Sequence, residues 1–132
     1  GEILSVGTDN NGYRITFAVR NLNWYFLKDV EFKVSANYVT DSNDRGTSIG
    51  VKHFKKDQII PNVPKHYSTF DYFIIPFSAT GFRISFYISW NDIKYTQEYH
   101  YIIDPKTKEA KLKSNTVYFI GLGFPSEQFF GE

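Results

Sequence analysis

The residue types able to do chemistry are few and far apart in this chain. Its three histidines, His53, His66 and His100, are scattered, and no two have the short spacing that brings two imidazoles to one metal ion. The loop Asp41-Ser42-Asn43-Asp44-Arg45-Gly46 carries Asp, Asn and Gly at the first, third and sixth places of a calcium loop. Arg45 occupies a ligand place, however, and Lys52 stands where a bidentate glutamate belongs, which rejects an EF-hand. No glycine-rich phosphate loop, serine-centred elbow or His-Glu pair occurs, and there is no cysteine to act as nucleophile or thiolate ligand. Carboxylates on different strands could meet for glycoside hydrolysis, but a chain this short leaves little room for a deep cleft. The expectation is a protein with no catalytic residue, no metal and no cofactor.

Recognition is a better match to the residues present. Asn23-Trp24-Tyr25-Phe26 places aromatic rings in a loop that enters a strand, and an aromatic at the end of a rigid scaffold can stack on a flat ligand. The competing reading, which alternation through the loop favours, has Trp24 and Phe26 capping the open end of the core. Gln97 is the other candidate, because it falls in mid-strand on a face that is otherwise apolar. Either it lines a polar cavity or a bulge has shifted the register there. Trp24, Tyr25, Phe26 and Gln97 are therefore the candidate ligand-binding residues.

Strands must position these residues. Phe82, Ile84, Phe86, Ile88 and Trp90 alternate with mostly polar neighbours, as do Val30, Phe32, Val34, Ala36 and Tyr38, and a period of two belongs to a strand with one buried face. A loop at Asn91-Asp92 would set Trp90 opposite Ile93, Ile88 opposite Tyr95, Phe86 opposite Gln97, Ile84 opposite Tyr99 and Phe82 opposite Tyr101. Near the N-terminus, Asn11-Gly12 is a strong hairpin signal, and it would pair Thr8 with Ile15, Val6 with Phe17 and Leu4 with Val19. Thr47 to Phe54 reads as a weaker strand with Ile49, Val51 and His53 on one side. Pro61 and Pro64 mark an edge or crossover segment. Tyr67 to Phe77 is a strongly apolar run that Pro76 ends, and Thr116 to Ile120 supplies a last strand. Beyond it, Phe124, Phe129 and Phe130 lie in a Gly- and Pro-punctuated tail that cannot continue a strand for long and is expected either to fold back on the body or dock on a partner chain, or to fray as a free end. Short strands with turn chemistry between them predict one all-β domain over 1–132, an antiparallel immunoglobulin-like β-sandwich of about seven to nine strands, with 104–132 as a C-terminal extension. A small closed β-barrel is the alternative.

Composition narrows the partners. A net charge of +1 and a pI near 8.1 provide no field for nucleic acid or an anionic membrane. Aromatic residues make up 19% of the chain, which suits stacking platforms for sugars but is explained as well by the aromatic preference of β-rich cores. No apolar run approaches the ~20 residues that span a bilayer. The chain lacks methionine and begins at Gly1, so a signal or anchor upstream is expected to have been trimmed, and any membrane contact would run through a segment outside these residues.

The run Phe17-Ala18-Val19-Arg20-Asn21-Leu22-Asn23, followed by Leu27-Lys28-Asp29-Val30-Glu31-Phe32-Lys33-Val34, resembles the second and third strands of immunoglobulin-like and fibronectin-type modules of bacterial envelope proteins, FxLYD-type domains being nearest in style. The resemblance extends over residues 3 to 103 in topology. It implies a non-catalytic, extracytoplasmic interaction or structural module (periplasmic, cell-surface or secreted) that is often membrane-anchored. A protein partner or self-association is the expected interaction, with carbohydrate or another small ligand bound through exposed aromatics as the alternative.

Overall fold

The structure is a computed structural model and describes residues 2–20, 30–41, 46–54, 68–90, 93–121 and 124–131. The alternating runs become antiparallel strands: β1 (Glu2–Asp9), β2 (Gly12–Arg20), β3 (Val30–Val39), β4 (Thr47–Phe54), β5 (Ser68–Ile75), β6 (Gly81–Trp90), β7 (Ile93–Ile103), β8 (Ala110–Gly121) and β9 (Phe124–Gly131). They form a three-stranded sheet, β1-β2-β5, and a six-stranded sheet, β4-β3-β6-β7-β8-β9. Two separate sheets make a sandwich and set the closed barrel aside. The first, second and fifth strands face the third, sixth and seventh, which is the immunoglobulin-like arrangement. Here β4 pairs with β3 rather than β5, and β8 and β9 widen the larger sheet past β7.

The interior follows from the alternation. Ile15, Phe17 and Val19 of β2 and Phe73 and Ile75 of β5 are buried against Val34 and Ala36 of β3 and Phe82, Ile84 and Phe86 of β6. Phe17 lies at the centre, stacked on Phe73 at 5.4 Å and meeting Phe86 edge-on at 5.8 Å. The β6–β7 hairpin has the expected register, with Phe86 opposite Gln97 and Ile84 opposite Tyr99.

Four local expectations are corrected. The first hairpin turns at Asn10-Asn11, so Thr8 faces Tyr13, Val6 faces Ile15 and Ile3 faces Phe17. Gly12 is drawn into the strand because its backbone touches β5: a Cβ there would sit 2.1 Å from the Ile75 carbonyl oxygen. That moves the turn back by one residue and leaves Leu4 at an irregularity between Ile3 and Ser5, 43% exposed instead of facing Val19.

In β4 a bulge opposite Ala36 and Asn37 breaks the alternation. Ile49 packs on the core while Val51 and His53 face outward. Lys52 then lies opposite Val34, and its Nζ is 3.0 Å from Asp71 Oδ1 on β5. Further on, β8 begins at Ala110, well before Thr116. The tail is the last correction, for 124–131 pairs along β8 as a strand. Pro125 is accommodated because an edge strand has one side on which no N–H is needed.

Candidate functional site

The surroundings of Gln97 decide between the two readings of the sequence. The β6–β7 pairing runs unbroken past it, and the nearest irregularity falls between His100 and Tyr101 in the β7–β8 pairing. Gln97 belongs to a polar cluster. Its Nε2 donates to Tyr99 Oη at 2.9 Å and to Asn115 Oδ1 of β8 at 3.3 Å. Tyr95 and Tyr99 flank it on the same face of β7, and all four side chains are half-buried. Burial raises the Tyr95 phenol above its ordinary range. It does the same for Tyr99, helped by Tyr101, Tyr95 and the Glu2 carboxylate and opposed by the hydrogen bond with Asn115.

The cluster lies beside Val117, which stands opposite Gln97 on β8 and is buried. Lys52 and Asp71 tie the β4 edge to the β5 edge, and Glu2 of β1 acts electrostatically on Tyr99 of β7. Across the sandwich, β5 of the smaller sheet, ordered β1-β2-β5, thus meets β4 of the larger one. The larger sheet continues past β7 through β8 and β9. The cluster combines aromatic rings for apolar contact with amides for hydrogen bonding.

Trp24, Tyr25 and Phe26 lie outside the described residues. So does most of the calcium-like loop, of which Asp41 and Gly46 are described. Among the described residues no group of three His, Cys, Asp or Glu side chains converges on a metal position, and no helix is long and apolar enough to cross a membrane.

A concavity that sequence spacing does not reveal lies elsewhere. A cleft of about 760 Å³ opens at the end of the sandwich carrying the β7–β8 turn. Arg83 and His100, directly opposite each other on β6 and β7, line it together with Lys108, Lys113, Asp41 and Phe77. The turn is organised by Asp104, whose Oδ1 accepts from the N–H groups of Lys106 (2.8 Å) and Thr107 (3.2 Å). These bonds hold its carboxyl below the usual carboxylate range. The backbone closes with Lys108 N donating to Asp104 O and Asp104 N to Glu109 O, which sets Lys108 at a φ of 61°. Lys113 enters the cleft because of the β7–β8 register break, which skips it between the pairs His100–Ser114 and Tyr101–Leu112. No single stretch of sequence marks this site, because Arg83, His100, Lys108 and Lys113 are joined only by strand pairing.

No family model matches the chain, and no curated protein matches it.

Proposed function

We propose that the chain is a non-catalytic interaction module of an extracytoplasmic protein, secreted or held at a membrane by a segment outside these residues. Its recognition surface is the inner face of β7 and β8 around Tyr95, Gln97, Tyr99 and Asn115, and its partner is a polypeptide, either foreign or a second copy. The observation that carries this reading is the widening of the larger sheet by β8 and β9, to six strands against three. The immunoglobulin-like order of β1 to β7 supports the comparison with fibronectin-type envelope modules, and β8 and β9 are what distinguish this chain from them.

Carbohydrate is the second reading, favoured by the pairing of tyrosines with the Gln97 and Asn115 amides. An oligosaccharide titration followed by ¹H–¹⁵N NMR, beside light scattering over a concentration series, separates the two. Saturable shifts centred on Gln97, Tyr99 and Asn115 and lost in Gln97→Ala establish the sugar reading. A mass that rises with concentration, and falls back in the same variant, establishes self-association through this face. Sugar binding or association that Gln97→Ala leaves intact would place recognition elsewhere.

A further inference from the structure

The end cleft lies apart from the β7–β8 inner face and has a chemistry of its own. Among the described residues its lining includes the basic side chains of Arg83, Lys108 and Lys113 and the acidic one of Asp41, with His100 between Arg83 and Lys113. These charges come from β6, the β7–β8 turn, β8 and the segment after β3. No single stretch of sequence produces the cluster; the fold assembles it. Like charges brought together repel one another, and a ligand of opposite sign relieves that repulsion.

The cleft volume of about 760 Å³ falls within the ~300–1,000 Å³ usual for small-ligand sites. One wall is apolar: Phe77 is 48% exposed and Ile102 44% exposed. Phe77 is also held in place, its ring meeting Tyr13 edge-on at 5.3 Å. Arg83 already engages a carboxylate, with its Nη1 3.8 Å from Glu98 Oε1, while the Glu98 Oε2 accepts from Ser85 Oγ at 3.5 Å. The guanidinium is thus paired with Glu98 and remains 52% exposed.

We infer that this cleft is an anion site for a small ligand carrying carboxylate or phosphate oxygens on an apolar or flat body, the oxygens meeting Arg83, Lys113 and His100 and the body lying against Phe77 and Ile102. His100 supplies an internal reporter. Burial first, then Arg83 and Lys113, hold its imidazole below the usual value. The charged groups around it are Arg83 on β6, Lys113 on β8, Glu98 two residues back on β7, and Asp41 and Lys108 at the cleft rim. A bound anion offsets the two cations and raises the His100 pKa, so binding takes up protons.

The test is an NMR titration of the whole chain with inorganic phosphate and, separately, with citrate, against sodium chloride at matched ionic strength. Saturable amide shifts are expected at residues 80–83, 100, 108 and 113, together with an upward move of the His100 imidazole titration. Arg83→Gln with Lys113→Gln should weaken binding roughly tenfold or more, the scale of losing charge-assisted hydrogen bonds, whereas Lys94→Gln, outside the cleft, should not. Saturation by phosphate alone identifies a phosphate-bearing ligand, and saturation by citrate alone a carboxylate-bearing one. Shifts no larger than those with chloride, or equal shifts at every lysine, would overturn the inference. Gln97→Ala should leave anion binding unchanged, so the failure of this site and the failure of the β7–β8 recognition face are read independently.

Discussion

Phe86 shows what the alternation in β6 means for a single side chain. Its ring is buried between Phe17 at 5.8 Å and Tyr99 at 5.7 Å, both edge-on. Its neighbour Tyr87 is half-buried on the outer face, under the Lys33 ammonium at 4.4 Å. Phe86→Ala should therefore cost about 3–5 kcal/mol in urea melts, and Tyr87→Ala about 1 kcal/mol. Equal losses would show that both faces are covered. Lys108 argues in the other direction, since a side chain at φ 61° pays a conformational cost that glycine does not. Lys108→Gly should raise stability by about 1 kcal/mol in the same melts, and a loss would mean that its side chain contributes more than its backbone costs. The face Gln97 occupies was legible from spacing alone. Its partners were not, because Asn115 reaches it from β8 and only pairing between distant segments brings the two together.

Elements were legible where alternation is unbroken and misread where one residue interrupts it. The β6–β7 register followed from the sequence because ten residues of β6 alternate without a gap and the pairing carries no bulge. In β1–β2, the contact between the Gly12 backbone and the Ile75 carbonyl oxygen moved the turn, and nothing local reveals that contact. In β4, the bulge opposite Ala36 and Asn37 turned Lys52 to the inner side, where Asp71 meets it. An inward-pointing charge on an edge strand discourages pairing with another chain. With each side chain 34% exposed, the ion pair is screened and contributes no more than about 1 kcal/mol. Replacing both residues by valine should leave the urea midpoint close to its starting value while promoting concentration-dependent association in light scattering. A double variant that stays monodisperse would show that this edge needs no protection. The tail was misread for a related reason: its composition argues against an interior strand, but β9 is an edge strand, where proline and glycine are tolerated.

For the whole molecule, acid and base act through separate groups. His100 is held below the usual imidazole value by burial, Arg83 and Lys113. Below that usual value the unfolded chain binds the proton that the folded one refuses, so stability is complete above it and falls as pH drops towards the folded pKa. Asp104, held low by the Lys106 and Thr107 amides, adds a second loss further into acid. Tyr95 and Tyr99, raised mainly by burial, act with the opposite sign: their contribution is full below the ordinary phenol range and is lost as pH climbs through the folded values. Melting temperature should thus peak between these limits, and His100→Gln should flatten the step nearest neutrality. An unchanged step would assign it to other groups. The proposed recognition face also belongs to this scale, since β1 to β7 form an immunoglobulin-like sandwich and β8 and β9 extend one sheet of it. The direct measurement is site-specific photo-crosslinking in the cells that make the protein, with a photoreactive residue at position 95 on the inner face or at position 51, where Val51 is 49% exposed on the outer side of β4. Recognition through β7 and β8 predicts a discrete polypeptide adduct from position 95, abolished by Gln97→Ala, and none from position 51. Equal adducts from both positions, or an adduct from position 51 alone, would contradict it.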